Sequence, residues 1–225
     1  MIKEKKYKHD VTVAVINYNR FKYIDRAIRS CLDQTLSFKS HEVIVVDDKS
    51  TDKSMKYITR HKFLKKYLTV YKNKKNYGVG YCSRLAVSKS KGKYFMRVDS
   101  DDFLNRFALD IMSEILNNNP EYGYVYCDHI RTDEWGFKTS IVKLNKKKKL
   151  YGHGAGILFR TDIIKKAGNY NKDFREAEDH DLIVRINKIS KGFYLPLPLY
   201  RYYIHDDNIS KSGNRNKYIK IINKR

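Results

Sequence analysis

No apolar run in this sequence approaches the ~18 residues that a membrane-crossing helix needs. The opening stretch, Met-Ile-Lys-Glu-Lys-Lys-Tyr-Lys, is charged with no apolar segment behind it, which argues against a secretory signal. Cysteine is scarce: Cys31, Cys82 and Cys127 form an odd, widely spaced set with no Cys-x-x-Cys. That pattern disfavours a disulfide framework or a zinc site and points to free thiols in a reducing cytosol. There is no internal repeat and no Pro/Ser-rich linker. Acids are few as well, with 25 Asp and Glu against 47 Lys and Arg and a formal net charge of +22.

The positive charge is clustered. Nine Lys/Arg and no acid lie between Lys53 and Lys75, Lys146–Lys149 is a run of four, and Asn208–Arg225 holds six basic residues and no acid. Such surfaces attract nucleic acid, anionic lipid headgroups or phosphorylated substrates. A general bias toward Lys, Asn and Tyr would supply the same charge without a partner. With 41% hydrophobic and 13% aromatic residues, the chain has enough apolar material to fill one globular core in 225 residues.

Strand and helix patterns alternate through the first hundred residues. Val11-Thr-Val-Ala-Val-Ile16, Glu42-Val-Ile-Val-Val46, Leu68-Thr-Val-Tyr71 and Tyr94-Phe-Met-Arg-Val98 read as strands, rich in β-branched and aromatic residues. Between them, Phe21, Ile24, Ala27, Ile28, Cys31 and Leu32 recur at helical spacing to about Gln34, and Met55 and Ile58 mark a short helix. Gly78 and Gly80 open a helix with Val79, Cys82, Leu85 and Ala86 inward. This alternation predicts an α/β domain with a mostly parallel sheet, whose ligands bind beyond the carboxyl ends of its strands. The second half is less regular. A helix is expected over Leu104–Leu116, a strand over Tyr122–Cys127, a hairpin around Trp135-Gly136 and a short helix over Asp162–Ala167 stopped by Gly168. The glycine-rich Tyr151–Gly156 lacks the flanking elements of a dinucleotide loop, and its glycines would instead let backbone approach a ligand.

Acids gather where such a fold binds ligands. Asp47-Asp48 follows one strand, and Asp99-Ser100-Asp101-Asp102 follows another. In extended backbone Asp99 and Asp101 share a face, and two adjacent carboxylates need a cation or strong donors. A hard divalent ion such as Mg²⁺ or Mn²⁺ fits that need. The competing reading is an acidic turn with Asp102 capping the next helix. Asp173, Glu176, Glu178, Asp179 and Asp181 form a second cluster before Leu182, Ile183, Val184 and Ile186. Acids there suit a helix dipole, or one of them serves as a general base.

Val-Thr-Val-Ala-Val-Ile-Asn-Tyr-Asn-Arg, Glu-Val-Ile-Val-Val-Asp-Asp-Lys-Ser-Thr-Asp, Asp-Ser-Asp-Asp and Glu-Asp-His-Asp-Leu occur in that order. Together they resemble the family 2 glycosyltransferases, over about residues 11 to 205. The resemblance implies a GT-A fold, a Rossmann-like, mostly parallel sheet flanked by helices with a smaller acceptor-side lobe. It implies one domain over 1–225: a nucleotide-binding half at 1–101, an acceptor-binding half at 102–207 and a basic tail at 208–225. Tyr18 resembles the aromatic that stacks on the nucleobase, Asp48 the carboxylate that bonds the base, and Arg84 a basic residue near the nucleotide or diphosphate. Asp99 and Asp101 match the D-x-D motif that holds Mn²⁺ or Mg²⁺ against the diphosphate. His205 lies where some GT-A enzymes supply a metal contact, with an ordinary surface histidine as the alternative. Asp179 matches the catalytic base, with Glu178 beside it, and His153 is an acceptor-side candidate.

These matches imply an inverting, metal-dependent transferase. The donor would be a UDP-, TDP- or GDP-linked sugar and the acceptor a saccharide or a lipid-linked hydroxyl, in polysaccharide, lipopolysaccharide or other glycoconjugate synthesis. The expected location is cytoplasmic, or peripheral on the inner face of an anionic membrane, with no nucleic-acid partner. Lys49 replaces the small residue usual after Asp-Asp, and Leu85 the Asn that often follows the arginine. Two alternatives are a nucleotidyltransferase on a related sheet, which would want a glycine-rich loop absent here, and a non-catalytic basic module for nucleic acid or membrane.

Overall fold

The computed structural model describes residues 7–37, 40–144, 154–206, 208 and 215–222. In chain order its elements are β1 (His9–Asn17), α1 (Ile24–Leu32), β2 (His41–Asp47), α2 (Ser54–Arg60), α3 (Lys62–Tyr67), β3 (Leu68–Lys72), α4 (Val79–Lys89) and β4 (Gly92–Asp99). There follow β5 (Phe103–Leu104), α5 (Ala108–Asn118), β6 (Tyr122–Thr132), β7 (Lys138–Val142), β8 (Ile157–Arg160), α6 (Thr161–Lys166), α7 (Glu178–Ile186), β9 (Lys191–Tyr203) and α8 (Arg215–Ile222).

One sheet of nine strands joins them in the order β3-β2-β1-β4-β8-β6-β9-β5, with β7 paired to β6. The first four are parallel. Strand β8 enters antiparallel between β4 and β6, and β9 lies parallel to β6. Because β1 is covered on both faces, its apolar residues serve two cores. Val13 and Val15 pack with Ile24, Ile28 and Leu109 on one side. Ala14 and Ile16 pack with Cys82, Phe95 and Leu182 on the other. Alternation along an extended strand is what splits them.

Register sets the position of the ligand edge. Asn17 pairs with Asp47 and Ile16 with Asp99, so β1, β2 and β4 end at one level. Everything that follows those three strands emerges at the same edge of the sheet.

The second half departs from expectation in detail. Leu104 belongs to β5, and the following helix begins at Ala108. β6 continues five residues beyond Cys127, to Thr132, because β9 and β7 flank it on both sides. The expected hairpin is present, with Ile130 opposite Ile141. Of the basic stretch 208–225, α8 packs Ile222 against Phe174 and Ala177, close to the start of α7.

Candidate active site

Six of the candidate residues line one cleft of about 730 Å³: Tyr18, Asp48, Asp99, Asp101, Glu178 and Asp179. Tyr18 follows β1 and keeps 44% of its surface exposed at the cleft. Asp48 follows β2 and is buried. Its Oδ1 accepts from Asn73 Nδ2 at 2.8 Å and from Tyr77 N at 2.9 Å, and its Oδ2 accepts from Gly78 N at 2.7 Å. Asp48 also bonds the Cys82 thiol, so most of its lone pairs are used by the protein, while the residue still lines the cleft. Asp47 is committed to the fold. It accepts from Asn17 Nδ2 at 2.8 Å and from the Ser50 hydroxyl and backbone N–H.

Residues 99–102 form a turn rather than extended chain, closed by Asp102 N donating to Asp99 O at 3.0 Å. The turn, not strand alternation, brings Asp99, Ser100 and Asp101 to the cleft together. Asp102 caps no helix. It is buried, accepts from Tyr200 Oη at 2.8 Å and Tyr203 N at 2.9 Å, and thereby ties the turn to β9. Burial, with Asp101 and Asp99 nearby, pushes its pKa well above the usual carboxylate range.

Asp101 Oδ2 accepts from Arg20 Nε at 3.0 Å and contacts His205 Nε2 at 2.9 Å. Burial pushes the Asp101 pKa up, but His205 and Arg20 outweigh it and hold the group below its ordinary value. The His205 side chain is only 12% exposed, so it is not an ordinary surface histidine. Asp99 is moved the other way. Desolvation, Asp101 and Asp179 raise its pKa against the pull of Arg97, although its side chain stays 38% exposed.

Arg97 is the residue that sequence reasoning passed over. It lies inside β4, in a stretch otherwise read as a buried apolar strand. Its Nε is 3.2 Å from Asp99 Oδ1, and its Nη1 is 2.6 Å from Glu178 Oε1 and 3.2 Å from Ser83 Oγ. Asp99 and Glu178 hold the buried guanidinium firmly protonated despite its desolvation. Glu178, also buried, has its pKa raised by burial and by Asp179, with Arg97 opposing. The only sequence signal was an arginine two residues before an acid that shares its strand face.

Asp179 stands in the first turn of α7 with Oδ1 accepting from His180 N at 2.7 Å. Gly154 packs against it: a Cβ there would lie 2.8 Å from both Asp179 Oδ2 and Arg97 Nη2. The close neighbours of Gly154 are protein side chains, where the sequence reading expects a ligand. His153 lies outside the described residues. Arg84 is not at the cleft. It donates to Gly168 O and Tyr170 O at 3.0 and 3.1 Å, serving the end of α6, because its position on α4 faces away from the strand ends.

Asp99, Asp101 and His205 offer carboxylate oxygens and imidazole nitrogen, donor types that suit Mn²⁺ or Mg²⁺. Among the described residues, no group of three or more His, Cys, Asp or Glu side chains is gathered closely enough to hold an ion alone. An ion at these carboxylates would have to take most of its oxygens from phosphate and water.

The model of glycosyl transferase family 2 matches residues 12–175. The chain belongs to that family. As a family 2 member it is 26% identical over 223 residues to the chondroitin synthase of Escherichia coli, covering 95% of this chain and 32% of the synthase. It is 26% identical to an uncharacterized glycosyltransferase of Haemophilus influenzae, covering 91% of this chain and 68% of that protein. Its fold is GT-A. S. aureus TarS 1–349, crystallised with UDP-GlcNAc, superposes with a TM-score of 0.78 at 19% identity, over 95% of this chain and 65% of that one. The mannosyltransferase PcManGT of Pyrobaculum calidifontis, in complex with GDP-Man and Mn²⁺, gives 0.71 at 20% identity, over 91% and 62%. The chain thus spans about a third of the chondroitin synthase and somewhat under two thirds of the two solved transferases.

Proposed function

We propose that this chain transfers a sugar from a nucleotide-sugar to a hydroxyl acceptor with inversion at the anomeric carbon. The observation that carries the reading is a single cleft lined both by acids at the ends of β2 and β4 and by the carboxylate opening α7. Residues 1–101 form the donor half of one domain and 102–207 the acceptor half. Tyr18 stacks on the base. Asp48 meets the base and holds the 73–78 loop beside it. Arg84 has no donor role in this reading.

Asp99, Asp101 and His205 would hold Mn²⁺ or Mg²⁺, which when bound offsets negative charge on the departing diphosphate. Arg20 keeps Asp101 ionised and oriented. Arg97 engages Glu178 and fixes the first turn of α7. Asp179 accepts the proton of the acceptor hydroxyl as its oxygen bonds to the anomeric carbon and the bond to the diphosphate oxygen breaks. Solved relatives of the same fold carry UDP-GlcNAc in one case and GDP-Man with Mn²⁺ in another, which supports a nucleotide-sugar donor without choosing its base. The product belongs with polysaccharide or other glycoconjugate synthesis, and the acceptor is a saccharide or lipid-linked hydroxyl.

The test is nucleoside diphosphate release from UDP-GlcNAc, TDP-glucose and GDP-mannose with Mn²⁺, with and without mixed glycan acceptors. Asp179→Asn should abolish release while leaving nucleoside diphosphate binding intact. Equal rates in wild type and Asp179→Asn would overturn the assignment of the base. No release from any donor by the wild type would overturn the proposal itself.

A further inference from the structure

The turn between β6 and β7 carries an exposed aromatic pair. Trp135 and Phe137 are each 72% exposed, more than any other large hydrophobic side chain among the described residues. They do not line the cleft, and solvent exposure of two neighbouring rings costs solubility unless the patch meets a partner. The turn that presents them is rigidly built. Asp133 Oδ1 accepts from Trp135 N at 3.0 Å and Phe137 N at 2.9 Å, and Asp133 N donates to Phe137 O at 3.0 Å. Gly136 has φ +92°, and a Cβ there would press on Arg26 Nη1 and the Phe103 ring at 3.1 and 3.2 Å. Arg26 stacks over Phe103 at 4.5 Å and donates to Glu134 O at 3.0 Å, clamping the turn from beneath.

Charge around the pair is positive on balance. The turn holds two acids, and both are engaged: Asp133 by the backbone just described, and Glu134 by Lys22 at 2.5 Å. The exposed cations Arg131, Lys138 and Lys143 flank the hairpin, and the chain as a whole carries +22. Exposed Trp and Phe at the tip of a rigid hairpin, with lysine and arginine around it, match the chemistry of a bilayer interface. Aromatic rings settle at headgroup depth, and basic side chains meet anionic phosphates. Preordered backbone keeps the ordering cost of docking small.

We propose that the β6–β7 hairpin is a membrane-docking element, with Trp135 and Phe137 entering the headgroup region of an anionic bilayer and Lys138 and Lys143 contacting its phosphates. The occupant is a lipid surface, and the inference does not depend on the transfer chemistry.

Trp135 is the sole tryptophan of the chain, so its emission reports on this site alone. The experiment mixes the full chain with vesicles of phosphatidylcholine, or of equal parts phosphatidylcholine and phosphatidylglycerol, and follows emission and its quenching by brominated acyl chains. The proposal expects a blue shift and quenching with the anionic vesicles and little with neutral ones. Binding should weaken at least about tenfold as salt rises to several tenths molar. Phe137→Ser and the pair Lys138→Glu/Lys143→Glu should each reduce partitioning while melting as the wild type does, since these side chains are exposed. Unchanged emission with anionic vesicles would overturn the proposal. So would equal response to neutral vesicles, or a blue shift that grows with protein concentration alone and marks a second copy on the patch.

Discussion

Arg97 Nη1 lies 2.6 Å from Glu178 Oε1, with both side chains almost fully buried. The contact joins the carboxyl end of β4 to the first turn of α7, and Arg97 holds Asp99 at 3.2 Å with the same guanidinium. A buried charge left without its partner costs about 3–5 kcal/mol, whereas replacing both partners by apolar groups is often near neutral. Arg97→Met should therefore destabilise the protein by an amount in that range. The double variant Arg97→Met/Glu178→Leu should recover part of the loss, and urea denaturation of the wild type, Arg97→Met, Glu178→Leu and the double variant measures it. Strict additivity of the two single effects would mean that the two side chains do not act as a pair.

Lys49 occupies a left-handed conformation, φ +66°, in the turn after β2. An L-residue with a Cβ is held there at a cost of about 1 kcal/mol, partly offset because glycine loses more entropy on folding. Lys49→Gly should stabilise the protein by roughly 0.5–1 kcal/mol and raise Tm by about 1–4 °C for a chain of this size. Calorimetry checks it, and a lower Tm would mean that the lysine makes a compensating contact. This position also explains why a small residue is usual after the paired acids.

Gly80 lies in the first turn of α4, where propensity alone would favour alanine by about 1 kcal/mol. Packing decides otherwise. A Cβ at Gly80 would lie 2.3 Å from Phe174 O and 2.5 Å from Asn171 O, both backbone atoms. Gly80→Ala should cost roughly 1–3 kcal/mol or more through overpacking. It should also displace the 171–174 segment that leads to α7, lowering activity along with stability. A Gly80→Ala protein as stable as the wild type would contradict this packing.

Burial pushes the thiols of Cys31 and Cys127 up to about 12, and burial beside Asp48 raises that of Cys82 as well. The reactive species is the thiolate, so raising the pKa far above the working pH suppresses reaction. At pH 8 none of the three should react with Ellman's reagent in the native protein, and all three should react in urea. Rapid native labelling of any one would show that its segment opens readily.

The alternating first half was legible because each element there answers to a local rule. Runs of β-branched or aromatic residues bounded by turn residues form β1, β2 and β4, and period-3.6 apolar positions form α1 and α4. The acids at strand ends were legible for the same reason, since parallel strands in register bring their following residues to one edge. What was not legible depended on partners far along the chain. Leu104 joins a strand because β9 is there to pair with it, and Pro196 and Pro198 interrupt the alternation that would have marked β9 as a thirteen-residue strand. Arg97 looked like an exception within an apolar strand because Glu178 is eighty-one residues away. Arg84 was placed by likeness to a motif, and the direction in which its helix face points sends it to Gly168 and Tyr170 instead.

The most direct test of the proposed active site is a thermal-shift titration with UDP, TDP, GDP and CDP, each with and without Mn²⁺, on wild type and Asp101→Ala. A ligand that binds the native state stabilises it by mass action, by about 2.7 kcal/mol at a hundredfold excess over Kd, and so raises Tm. The account predicts a metal-dependent shift for one nucleotide that is lost in Asp101→Ala. No shift with any nucleotide, or an equal shift in both proteins, would contradict it.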